Sequence, residues 1–290
     1  MRRFGLLLAL VGGLTLSFDI PALRLGDGEA WSVIALRSTL VAIVGFVGWG
    51  IARAAGRTGP LLDGRAGAWV AFLYAVNAIT FQLAIHYTSV ANVVFILALN
   101  PMATALFSWW LIGERPRAVT LCAIGLTVLG AGIIVGDGLR AGGAFGDAMA
   151  LATTLLLALS LTLTRKHDLD VAFAALASSA LPALIGWLVV AAYGYAIAQP
   201  AWIALDGLVI MPIAFFCLAL APRYVAPVVV AMAFLIETCL APVWVWLVFS
   251  ERPSVAAVVG GAIILGAVVG HSVWQWQQGR RIRDRMLAAA

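Results

Sequence analysis

Charge is what this 290-residue sequence lacks: Asp, Glu, Lys and Arg make up only 11% of it, against 63% hydrophobic residues. A soluble domain is about one-quarter charged, so one large water-soluble core would have no polar shell to meet solvent. Lysine occurs once, at Lys166, in a polar break beside Arg165. No apolar run therefore offers an amine for a retinal Schiff base. His86, His167 and His271 are scattered, and there is no His-Glu-x-x-His, no Gly-x-x-x-x-Gly-Lys and no cysteine pair. These absences argue against zinc hydrolysis and ATP-driven pumping within the chain, and no metal, cofactor or enzymatic activity is expected. Cys122, Cys217 and Cys239 lie in apolar runs and read as small hydrophobes. The net charge of +5 is better read as a topology signal than as a nucleic-acid footprint.

What the chain does have is length without charge, again and again. Ten apolar runs, at about 4–24, 31–52, 67–87, 90–112, 117–136, 145–164, 171–194, 201–220, 225–249 and 254–276, each approach the roughly 20 residues that cross a bilayer as a helix. They are continuous rather than alternating, which excludes an outer-membrane barrel. The fold class expected is therefore all-α and integral to the membrane, with ten transmembrane helices. The basic start and apolar middle of MRRFGLLLALVGGLTLS resemble a signal peptide, but no clean cleavage site follows, so it reads as the first spanning helix. With the N-terminus placed inside, 14 of the 18 Lys and Arg residues fall in inner loops and tails, 3 (Arg24, Arg140 and Arg252) fall outside, and Arg37 lies within a span. That asymmetry puts both termini in the cytoplasm, with the basic C-terminal tail at the lipid surface.

A short repeat organises the rest. Gly-Glu-Arg-Pro closes the fourth run and Ser-Glu-Arg-Pro the ninth, 251 − 114 = 137 residues apart. Five helices per half is an odd number, so the second half enters the membrane inverted. Tyr87 aligns with Tyr224, Asn100-Pro101 with Glu237-Thr238, and Gly125 and Gly130 with Gly261 and Gly266 after one gap. Residues 1–138 and 139–290 then form a 5 + 5 inverted-topology repeat, the architecture of secondary transporters. The Glu-Arg-Pro itself reads as a helix boundary, with a gate salt bridge as the functional alternative.

LNPMATALFSWWLIGERP at 99–116, its echo LIETCLAPVWVWLVFSERP at 235–253, and LRSTLVA at 36–42 resemble the EamA branch of the drug/metabolite transporter superfamily. The resemblance covers essentially the whole chain, and it departs from the family pattern where Glu237-Thr238 stands in place of Glu-Pro. It implies a carrier of small metabolites working by alternating access. The high aromatic content and compact loops look like bacterial exporters of aromatic or large neutral amino acids. A proton-coupled multidrug or cation efflux carrier is the alternative.

Polar groups inside spans are costly and need a reason. Glu237 lies near mid-membrane, either as a proton-coupling carboxylate, as a partner for a substrate ammonium, or as a protonated core residue. Asn77 and Asn100 fall near the same depth and can bridge helices or touch a ligand. Asp19 and Arg37 sit at similar depth towards the outer side, as an ion pair or as receivers of a zwitterion at the outer mouth. Tyr74, Phe95, Trp187 and Phe215 lie within spans as candidate walls of a substrate cavity, whereas Trp31, Trp49, Trp69, Trp109, Trp110, Trp202, Trp274 and Trp276 fit interfacial belts. Pro101, Pro182, Pro212 and Pro242 are candidate hinges. Gly132-x-x-x-Gly136 and Gly266-x-x-x-Gly270 offer small faces on the fifth and tenth helices, for scaffold packing or for a homodimer. The expected partners are the bilayer and a small-molecule substrate, not nucleic acid.

Overall fold

The computed structural model describes residues 2–141, 143–169, 171–221, 224 and 227–288. Arg223 lies outside them, as do the side chains of Arg2, Arg140, Trp276 and the arginines from 280 to 285. Among the described residues every extended element is helical, apart from one isolated bridge between Gly28 and Ile197. Ten helices follow one another: α1 (Arg2–Leu16 and Asp19–Leu25), α2 (Ala30–Ala54), α3 (Gly64–Tyr87), α4 (Val90–Leu97 and Asn100–Ile112), α5 (Ala118–Ala141), α6 (Ala144–Lys166), α7 (Ala172–Ala177 and Ala180–Tyr193), α8 (Pro200–Leu205, a π-helical turn Asp206–Ile210, then Met211–Leu220), α9 (Pro227–Phe249) and α10 (Val255–Ala288). Among the described residues nine are long and apolar enough to cross a bilayer, and α9 contributes a shorter apolar stretch, Ile236–Phe249. Their outward faces are apolar, with Trp110 78%, Leu188 64% and Val128 62% exposed, as lipid contact requires.

Proline explains where the helices break. A proline ring clashes with the carbonyl four residues before it. Pro21 aims at Ser17, where α1 is interrupted; Pro101 at Leu97, just before the break at Ala98 and Leu99; Pro182 at Ser178, where α7 is interrupted; and Pro212 at Leu208, inside the π-turn of α8. Pro21 was not among the expected hinges. Pro242, which was, leaves α9 continuous.

Packing pairs α3 with α6, α1 with α8, α2 with α7, α5 with α10, α4 with α6 and α1 with α9. Exchanging helix n for helix n + 5 maps this set of pairs onto itself. Individual contacts obey the same exchange. A Cβ on Gly45 would lie 2.8 Å from Leu176, and one on Gly186 would lie 2.7 Å from the Ala35 nitrogen; here 186 − 45 and 176 − 35 both equal 141. A Cβ on Gly130 would lie 2.6 Å from the Gly260 carbonyl oxygen and 2.7 Å from Ile264, while one on Gly260 would lie 2.5 Å from the Gly130 oxygen and 2.7 Å from Ile134. The equivalence at the crossing of α5 and α10 therefore joins Gly130 to Gly260, not Gly130 to Gly266 as the sequence alignment has it. The expected small faces lie elsewhere, since Gly132, Gly136, Gly266 and Gly270 have nothing within 4 Å.

The two Glu-Arg-Pro motifs also match in detail. Gly113 (φ +83°) and Ser250 (φ +56°) both adopt the left-handed conformation, and each donates its N–H to the carbonyl four residues back, Trp109 (3.1 Å) and Trp246 (2.9 Å). This turn ends α4 and α9. Glu114 then accepts two hydrogen bonds from Arg165 at the end of α6, at 2.7 and 3.1 Å. Glu251 lies 3.9 Å from Arg24 at the end of α1 and accepts from the Val90 N–H at 3.3 Å. Arg24 and Arg165 are again 141 residues apart.

Candidate functional site

Among the described residues, a cluster of three charges lies inside the bundle. Arg37 on α2 donates from Nη2 to Asp19 Oδ1 at 2.6 Å and from Nε to Asp206 Oδ2 at 2.5 Å. All three are buried, with Asp19 2%, Arg37 4% and Asp206 0% exposed. Gln82 on α3, its amide oriented to suit its neighbours, accepts from Arg37 Nη1 at 3.1 Å and Nε at 3.3 Å. The Phe81 ring lies 5.7 Å from the guanidinium carbon, near enough for a cation–π contact.

Local structure places each member. The break in α1 ends one residue before Asp19, and it is held from α9: Trp244 donates to Ser17 Oγ at 3.1 Å and stacks on Phe18 at 5.2 Å. Asp206 opens the π-turn of α8. Such wide turns are rare and concentrate at functional sites. Gly207, the next residue, lets α8 approach α2 so closely that a Cβ there would sit 2.9 Å from Leu40 Cβ and 3.2 Å from the Arg37 carbonyl.

Asp19 and Arg37 thus form an ion pair, but not at an outer mouth: protein encloses both, and a third charge, Asp206, completes them. Glu237 on α9 is partly accessible and lies within charge-interaction range of Asp19. Asn77 Oδ1 and Asn100 Nδ2 are buried and without a hydrogen-bond partner among the described residues. Asn100 Oδ1 accepts from Thr104 at 3.3 Å, and the Asn77 carbonyl from Thr80 at 3.1 Å. Tyr74 and Phe215 are half-buried.

Two aromatics expected on a cavity wall sit elsewhere. The Phe95 ring fills the space over Gly261, 2.6 Å from where its Cβ would be, and so packs α4 onto α10. Trp187 is 41% exposed, donates to Thr39 Oγ1 at 2.8 Å and stacks on Tyr195 at 6.0 Å. Two buried carboxylates were not among the expected residues. Asp206 is one; the other is Asp147 on α6, whose Oδ1 accepts from Thr88 Oγ1 (2.7 Å) and Asn92 Nδ2 (3.0 Å). Each is an acid in or at the start of an apolar run, which is the signal that could have found them.

The fold is that of a polytopic membrane protein with interrupted helices and polar groups at their breaks, as in membrane transporters. Residues 3–136 match the model of the EamA-like transporter family. Over those residues, just under half of its length, the chain is similar to EamA-type transporters. A solved structure described only as "Crystal structure of protein" shares its fold with a TM-score of 0.63 and 17% identity, covering 92% of this chain and 96% of that one. No curated protein matches the chain in sequence.

Proposed function

We propose that this transporter is a secondary carrier that exports small metabolites, namely aromatic or large neutral amino acids, across the bacterial inner membrane, with both termini in the cytoplasm. One observation carries the reading: contacts between the halves come in reciprocal pairs related by the exchange of helix n with n + 5. This favours a 5 + 5 inverted repeat, residues 1–138 and 139–290, whose two halves can trade conformations. The Glu251/Arg24 pair closes one membrane face and the Glu114/Arg165 pair is its counterpart on the other, as alternating access requires. Between them, Tyr74, Asn77, Asn100, Phe215 and Glu237 are the proposed substrate contacts. Asn77 Oδ1 and Asn100 Nδ2 supply a free acceptor and a free donor, the two needs of an α-ammonium and an α-carboxylate. The open glycine faces of α5 and α10 are the proposed seat of a second copy.

A cationic substrate is the second reading. It is favoured by the count of charge, in which Asp19 and Asp206 both bind the one guanidinium of Arg37 and Glu237 lies in charge range of Asp19. Proteoliposomes containing the purified protein decide between them. Saturable uptake of labelled phenylalanine or tryptophan, competed by the other, supports the amino-acid carrier. Uptake of a labelled lipophilic cation alone overturns it in favour of cation efflux.

A further inference from the structure

We propose that the carboxyl pair Asp19 and Asp206, held by Arg37, is a proton-binding site that couples transport to proton movement; this rests on the carrier reading above.

The first argument is a count of donors. The two carboxyl groups are bound by neighbouring nitrogens of one guanidinium, Asp206 by Nε and Asp19 by Nη2, and two ionised carboxylates have no proton to place between them. Asp206 Oδ1 is buried and has no partner among the described residues. A proton bound by the pair leaves one negative charge against the one positive charge of Arg37. Without it the cluster carries an excess negative charge away from water, which is costly.

Other groups facing the site do not balance that charge. From α2 comes Arg37, from α1 Asp19, and from α3 the neutral Gln82 and Phe81. The turn of α8 before Asp206 has no ionisable side chain, and the stretch after the π-turn has only Cys217. Arg24, the other cation of α1, is turned away and donates to the Thr88 carbonyl at 2.9 Å. Glu237 adds a further carboxyl in range of Asp19.

The second argument is asymmetry. The 141-residue offset that relates Arg24 to Arg165 carries Asp19 to Ser160 and Arg37 to Ser178. Those serines merely bond their own helices, Ser160 Oγ to the Leu156 carbonyl and Ser178 Oγ to the Ala175 carbonyl, both at 2.7 Å. One half of the bundle therefore folds without charge at these positions, so the fold does not demand the cluster.

The third argument is position. The cluster joins α1, α2 and α3 of one half to α8 of the other. Two of its members stand at backbone irregularities, the break of α1 and the π-turn of α8. A shift of α8 against α2 separates the carboxyls and frees the proton. In each cycle one O–H bond is made on one side of the membrane and broken on the other, with no other covalent change.

Infrared difference spectroscopy of the purified protein, wild type minus Asp206→Asn, tests the site directly. Asparagine copies the shape and donor of a protonated aspartic acid, so this variant is expected to fold. A protonated-carboxyl C=O band, sensitive to D2O, is expected in the difference, and again when the pair is compared in a Glu237→Gln background. Asp19→Asn should remove the same band and serves if Asp206→Asn does not fold. No such band in either difference overturns the proposal. The coupling is read in proteoliposomes made acidic inside by one pH unit. Labelled phenylalanine should accumulate up to about tenfold for one proton per substrate. Asp206→Asn should reduce that ratio to about one while retaining phenylalanine exchange at equal pH. Wild-type accumulation in Asp206→Asn overturns the coupling. Absence of exchange by the wild type counts against the amino-acid reading alone, because the infrared result stands without it.

Discussion

Replacing Arg37 by glutamine tests whether the buried cluster is held by charge. The substitution removes the donors at 2.6 Å from Asp19 and 2.5 Å from Asp206 and the cation over Phe81. Removing one partner of a buried ion pair costs about 3–5 kcal/mol, because the other charge is left uncompensated. Proton uptake by a stranded carboxyl relieves part of this, so a loss of about 3 kcal/mol is expected. Asp206→Asn on its own leaves Asp19 and Arg37 paired and should cost less. In the double variant no carboxylate at 206 is stranded, so the two effects should fall short of additivity by about 2 kcal/mol, within the range for contacting residues. Equilibrium unfolding in detergent, followed by tryptophan fluorescence, completes the double-mutant cycle. The same cycle on Arg165 and Glu114, whose side chains are 65% and 49% exposed, should give a coupling below about 1 kcal/mol. Additivity within about 0.5 kcal/mol at the buried pair would refute the reasoning.

Three more expectations follow from contacts of different kinds. Gly130→Leu or Gly260→Leu drives a Cβ to within 2.6 or 2.5 Å of a backbone oxygen and should abolish the folded monodisperse protein on size-exclusion chromatography; Gly132→Leu and Gly266→Leu, which meet nothing within 4 Å, should leave it monodisperse, and any loss of dimer would mark the copy interface. Trp187→Phe loses one partly exposed hydrogen bond to Thr39, so it should cost about 1 kcal/mol or less of stability and leave the KM for phenylalanine within about twofold of wild type. Glu251→Gln weakens the tie of α9 to Arg24 and to the start of α4, so a cysteine placed at Ala91 should react faster with an impermeant maleimide; an unchanged rate would remove the gate reading.

How much of this was legible in the sequence depended on which physical signal each feature leaves there. Ten helices could be read because a bilayer demands some 20 apolar residues whatever surrounds them. The helix breaks were legible in part, because the clash of a proline with residue i − 4 is local; Pro21 needed only the same rule applied to the first run. Facing was not legible. Helices such as α4 and α9 are apolar all round, so hydropathy does not say which side meets protein. Phe95 against Gly261 and Trp187 on Thr39 could therefore not be told from a cavity wall. The likeness of the halves that supports the proposed repeat was visible at Glu-Arg-Pro and lost beyond it, since the offset is 141 at Arg24 and Arg165, 137 at the motif, and 130 at the glycine crossing. A single gap could not follow that drift.

Asp206 carries the last lesson. It is the only charged residue between 201 and 220, and the pairing of Arg37 with Asp19 already balances the opposite charges. A guanidinium presents five donors in a fixed fork, more than one carboxylate can take up. The remaining donors had to find acceptors inside the membrane, and the acidic residue stranded in the eighth run was available. Counting hydrogen bonds rather than charges would have predicted a third member. The same count, taken one step further, leaves Asp206 Oδ1 without a partner among the described residues and asks for the proton.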